Sequence, residues 1–134
     1  MKKYTLAFDF DGVFHKLDPR HVAKGIQTID GPEIDNATQH IKLLLEQYYI
    51  FIMTARLDLK PVKEWLEYVD VHCHCQGMLY GNVLKCEIVK PKVTHWEKDR
   101  VLGITNRKLP ALRYIDDRGE PFDSWTQVVT RHFH

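Results

Sequence analysis

Two short apolar runs, each cut off by a polar group, constrain the fold of this chain more than any other feature. Tyr4-Thr5-Leu6-Ala7-Phe8 stops at Asp9-Phe10-Asp11-Gly12, and Tyr49-Ile50-Phe51-Ile52-Met53 stops at Thr54-Ala55-Arg56. Continuous β-prone runs of this kind fit strands buried on both faces of a parallel sheet. Parallel neighbours need a crossover, and the interval between the runs supplies one. After Asp30-Gly31-Pro32-Glu33, Ile34, Ala37, Ile41, Leu44, Leu45 and Tyr48 recur at helical spacing, with Pro32 suited to a first turn. This predicts a helix running to about Gln47 and a complete β-loop-α-β unit.

The pattern continues along the chain. Pro61 opens a second helix with Val62, Trp65, Leu66 and Val69 on one side, and Val71 to Lys92 reads as two short strands around Gly77 to Asn82. Val101 to Thr105 forms a further short strand. Leu112-Arg113-Tyr114-Ile115 forms another, ending in Asp116-Asp117-Arg118-Gly119, after which Asp123-Ser124 caps a last helix carrying Trp125, Val128 and Val129. Strands alternating with helices make this an α/β protein, a mainly parallel sheet flanked by helices. At 134 residues it is one domain, spanning 1–134.

Charge and cysteine content exclude several classes. Lys and Arg number 19 against 18 Asp and Glu, a net +1, so whole-chain charge does not indicate a nucleic-acid or acidic-membrane partner, and any charge-based function must be local. The apolar runs are too short to span a bilayer. Met1-Lys2-Lys3 leads straight into the first strand, unlike a signal peptide, which implies a cytoplasmic protein. Cys73, Cys75 and Cys86 are an odd count without framework spacing, so reduced thiols are expected. His72, Cys73, His74 and Cys75, with Cys86, suggest zinc at first sight. On a strand, however, alternation sends the two histidines to one face and the two thiols to the other. His132 and His134 read as frayed terminal residues, and Trp65, Trp96 and Trp125 as packing residues.

The polar groups converge in a way the apolar runs dictate. In open α/β sheets ligands sit outside the carboxyl ends of the strands, and these ends carry Asp9 and Asp11, then Thr54 and Arg56, then Asp116 and Asp117. Four carboxylates at one edge repel unless a cation sits among them. For an all-oxygen site that cation is Mg²⁺. Taken separately, the acids could be turn caps before glycine, Thr54 a loop cap, Lys108 an exposed loop lysine and Arg56 a solvated or ion-paired residue.

Together, Asp9-Phe10-Asp11-Gly12-Val13, Thr54, Lys108 and Asp116-Asp117 resemble the four ordered motifs of the haloacid dehalogenase (HAD) superfamily. The segment Asn106 to Arg118 resembles the lysine-to-aspartate block of small bacterial and phage members. The resemblance implies a Rossmann-like fold and a Mg²⁺-dependent phosphatase. Asp9 would be the nucleophile that becomes an aspartyl phosphate, and Asp11 the general acid and base. Thr54, Ala55, Arg56 and Lys108 would bind the phosphoryl group, with Thr54 and Lys108 stabilising the transition state. Metal ligation would involve Asp9, the Asp11 carbonyl and Asp117, with Asp116 close behind. Lys90 and Lys92 are alternatives to Lys108. Positions 11 and 54 lie only 43 residues apart, which leaves no room there for a large cap domain, so the site would be open or covered by a partner subunit.

A phosphorylated small molecule is the expected substrate. One alternative is a phosphatase of nucleotides or nucleic-acid ends, which an uncapped site admits but the net charge does not indicate. Another is a non-catalytic Mg²⁺- and phosphate-dependent regulatory module. Receiver domains carry similar groups, but place the phospho-acceptor aspartate after a later strand, where this chain has Thr54. Specificity would reside in Phe14 to Thr28 and Val71 to Trp96.

Overall fold

The first apolar run forms β1, Tyr4–Phe8, and the second forms β2, Tyr48–Met53, paired in parallel with Leu6 opposite Ile50 and Phe8 opposite Ile52. The computed structural model describes residues 3–16, 29, 31–74, 83–115 and 125, with the side chains of 72–74 left aside. The other described elements are α1 (Ala37–Leu44), α2 (Lys60–His74), β3 (Cys86–Ile88), β4 (Leu102–Thr105) and β5 (Arg113–Ile115). The five strands form one sheet in the order β3-β4-β2-β1-β5, and every pairing is parallel. The α/β class and the parallel sheet are therefore as expected, and no helix among the described residues is long and apolar enough to cross a membrane.

Alternation along the strands divides the core in two. Leu6, Phe8, Ile50, Ile52, Leu102 and Ile104 face α1 and α2, where Ile41, Leu44, Val62 and Leu66 cover them, and Trp125 closes the same side. Its indole N–H donates to the Val13 carbonyl at 2.8 Å. Ala7, Phe51 and the partly buried Met53 point the other way, against Val89, Trp96 and Leu109. Crossover handedness explains the division. β1 to β2 and β2 to β3 step in one direction across the sheet, while β3 to β4 and β4 to β5 step back, so right-handed connections lie on opposite faces. Trp96 seals the second face by lying on Gly103, where an added Cβ would stand 2.6 Å from the indole.

Two sequence expectations are corrected. The first helix starts at Ala37, not near Pro32, and ends at Leu44, with 45–47 in a turn. The Lys16 amide donates to the Pro32 carbonyl and the Ile34 amide to that of Phe14, both at 2.9 Å, so 32–34 pairs with the loop after β1. Asp35 and Asn36 are left-handed, with φ of 46° and 56°, which a helix cannot continue through. Glu33 instead accepts from the Thr38 amide at 3.1 Å and from its hydroxyl, capping the shorter helix.

The second correction concerns Val71 to Lys92. Residues 71–74 complete α2, and the described part of that interval holds the single strand β3. Asp70 explains the continuation: fully buried, it accepts from the Leu84 amide at 2.8 Å and lies 2.7 Å from Lys42 Nζ of α1. The last turns of α2 are thereby tied to the entry of β3 and to α1. His72, Cys73 and His74 are helical, so the strand alternation expected of them does not hold. Cys75, His132, His134 and the last helix beyond Trp125 lie outside the described residues.

Candidate active site

An all-parallel sheet sends every strand's carboxyl end to one edge, and at that edge Asp9 follows β1 while Thr54 follows the adjacent β2. Asp9 is half-buried. Its amide donates to the Ile115 carbonyl at 2.9 Å, and its Oδ1 accepts from the Phe10 amide at 2.8 Å. The chain then turns sharply: the Phe14 and His15 amides both donate to the Phe10 carbonyl, and Gly12 takes a φ of 86° that favours glycine. This turn buries Phe10, Val13 and Phe14 and leaves the Asp11 carboxylate at the edge.

Asp11 is held from two sides. Arg56 donates to it twice, Nε to Oδ2 and Nη2 to Oδ1, each at 2.8 Å, and His15 Nδ1 lies 2.9 Å from Oδ1. His15 is 1% exposed, and its Nε2 faces the Gly31 amide at 2.9 Å. An amide can only donate, so Nε2 must accept and the ring proton must sit on Nδ1, aimed at Asp11. Phe10 stacks on the His15 ring, Trp65 meets it edge-on, and the Arg56 guanidinium lies 5.6 Å from the Phe10 ring centre. Burial alone would push the Asp11 carboxyl up. The hydrogen bonds from His15 and Arg56 outweigh it and hold the carboxyl below its ordinary value.

Arg56 is ion-paired with Asp11 and 7% exposed, not solvated. Thr54 is 3% exposed and its Oγ1 accepts from the Arg56 amide at 3.2 Å, while Ala55 is exposed beside it. The same turn recurs on the next strand: Thr105 Oγ1 accepts from the Arg107 amide at 3.1 Å, and the Thr54 amide donates to the Thr105 carbonyl at 3.0 Å. Lys108 is exposed, its Nζ 5.0 Å from the centre of the Tyr114 ring on β5. That strand borders β1, whereas Lys90 and Lys92 follow β3, three strands from β1, so the topology favours Lys108 of the three. Asp116 and Asp117 lie outside the described residues, directly after Ile115.

Sequence reading missed His15. The available signal was a histidine four positions after Asp11, but nothing local shows that the turn folds it back. For a hard cation, the described donors fit in kind. Asp9 offers a carboxylate and Asp11 a carbonyl that no hydrogen bond from a described residue reaches, while the Asp11 carboxylate is already engaged. No group of three His, Cys, Asp or Glu side chains converges among the described residues. A cavity of about 630 Å³ lies elsewhere, between α2 and β3. Two of its three lysines are paired, Lys63 with Glu67 and Lys98 with Glu87. Comparison of the chain with protein-family models, curated proteins and solved structures finds no match.

Proposed function

We propose that this edge hydrolyses phosphate monoesters through an aspartyl phosphate on Asp9, the chemistry its HAD-like motifs imply. The observation that carries the reading is the placement of Asp9 and Thr54 at the ends of adjacent parallel strands, with the Arg56 guanidinium bound to Asp11 at the same edge. A carboxylate oxygen of Asp9 attacks phosphorus, the ester P–O bond breaks, and the leaving oxygen takes a proton from Asp11. Water then attacks phosphorus and gives its proton to Asp11, the bond to Asp9 breaks, and inorganic phosphate leaves.

The remaining residues stabilise charge. Because Thr54 Oγ1 already accepts from the Arg56 amide, its own hydroxyl proton is free to point at a phosphoryl oxygen. Arg56 and His15 hold Asp11 ionised in the free site; when the guanidinium turns toward the phosphoryl group, Asp11 takes the proton of the bound monoester monoanion and passes that same proton to the leaving oxygen. Lys108 offsets negative charge on the same group. Mg²⁺, held by Asp9, the Asp11 carbonyl and an acid from Asp116 or Asp117, would supply Lewis-acid stabilisation of the phosphoryl oxygens. The test is phosphate release from an aryl phosphate and a panel of phosphorylated metabolites, with Mg²⁺ or with EDTA, for the wild type and Asp9→Asn. Mg²⁺-dependent turnover that disappears in the variant is expected, and wild-type turnover in Asp9→Asn would overturn the reading.

A further inference from the structure

The near-neutral chain conceals a sharp separation of charge. Residues 83–113 carry eight Lys and Arg against three Asp and Glu, a net +5, whereas the rest carries 11 against 15, a net −4. Two of these acids are already ion-paired, Asp99 with Lys3 and Glu87 with Lys98. At the carboxyl ends of β3 and β4 the segments 88–96 and 105–112 hold Lys90, Lys92, Arg107 and Lys108 and no acid at all. The candidate active edge is thus acidic at β1 and basic at β4 and β3.

The basic half is also rigidly built. Lys90-Pro91-Lys92-Val93 is a turn closed by the Val93 amide on the Lys90 carbonyl at 3.0 Å, with Pro91 at the position that pre-sets such turns. Arg107 Nη2 donates to the Lys90 and Val93 carbonyls at 3.0 and 3.1 Å, clamping the turn from β4. Lys90 and Lys92 are exposed and form no ion pair with a described residue. With strands about 4.8 Å apart, the turn stands about 15 Å along the edge from Asp9.

We infer that this basic half is a docking track for the phosphodiester backbone of a nucleic-acid strand whose terminal phosphate is presented to Asp9. The inference rests on the phosphatase reading for the fate of that phosphate, though not for the binding itself. A second phosphate on a mononucleotide lies too close to the first to reach Lys90 and Lys92. A chain of regularly spaced phosphates reaches them, and lysines that contact phosphate set position without reading sequence.

The test uses full-length Asp9→Asn protein and a dye-labelled, 3′-phosphorylated oligonucleotide of about ten nucleotides, with binding followed by anisotropy between about 50 and 200 mM salt. Removing two phosphate contacts by Lys90→Gln with Lys92→Gln should weaken binding about tenfold or more at the low-salt end. It should also reduce the slope of log affinity against log salt by about 1.4. In Asp9-containing protein the kcat/KM preference for the oligonucleotide over an aryl phosphate should fall with the same double substitution. Binding that is indifferent to salt or to both lysines overturns the track, as does equal binding of an acidic phosphopeptide. Lysine-dependent binding without hydrolysis of either substrate leaves the track standing and removes the phosphatase reading.

Discussion

His15 Nδ1 lies 2.9 Å from Asp11 Oδ1, and the Gly31 amide, 2.9 Å from Nε2, dictates the tautomer that makes this bond a donation to the carboxylate. Together with the paired donors of Arg56, it gives Asp11 three hydrogen bonds in a partly buried position. Asp11 is therefore held ionised.

Arg56→Met should test how much of the fold depends on that arrangement. Removing one partner leaves Asp11 as a partly buried charge, a change worth up to about 3 kcal/mol when, as here, the surviving partner keeps some access to water. Urea unfolding should show the loss, and a variant within about 0.5 kcal/mol of wild type would show the pair to be energetically idle.

The pH dependence of stability follows from the same carboxylate. Asp11 is lowered in the folded state despite burial, so its stabilisation is complete above the unfolded value, about pH 4, and is lost as pH falls through the folded value. Melting temperatures measured downward from neutral pH should therefore fall more steeply below that point for wild type than for Asp11→Asn. Parallel curves would show that Asp11 contributes no such linkage.

Gly103→Ala should disturb the face of the sheet that connections, rather than described helices, cover. The new Cβ would lie 2.6 to 3.0 Å from three atoms of the Trp96 indole, whose N–H donates to the Val101 carbonyl at 3.2 Å. Displacing the ring should cost about 1–3 kcal/mol and shift tryptophan emission to the red. An unchanged unfolding midpoint would show that the indole slides aside freely.

Cys86 should be unreactive in the native protein. Burial, reinforced by nearby Glu67, pushes its thiol up to about 12, and the thiolate is the reactive form. Alkylation near neutral pH, quantified on the peptide containing Cys86, should be far slower in native than in unfolded protein. Equal rates would contradict the burial.

Much of this architecture could be read from the sequence because a buried parallel strand leaves a plain signature. β1 was bounded correctly, and β2, β4 and β5 to within one residue, because each is an apolar run ended by a polar group. Helix ends were less legible because distant residues set them. Pairing of 32–34 with the loop after β1 shortened α1, and the anchoring of buried Asp70 extended α2 through β-prone Val71. Asp9, Asp11, Thr54 and Arg56 are legible as polar residues that end the first two apolar runs, but the partner of Arg56 and the presence of His15 depend on a turn that local sequence does not encode. The distance of Lys90 and Lys92 from β1 became visible only with the strand order, and a net charge of +1 concealed the basic half of the edge.

An aspartyl phosphate on Asp9 can be trapped by quenching turnover, reducing the acyl phosphate with borohydride and mapping the modified peptide by mass. Asp9 should be converted to homoserine in the wild type during turnover, with no such conversion in Asp9→Asn. Turnover that leaves Asp9 unmodified under conditions that trap a control acyl phosphate would contradict that intermediate.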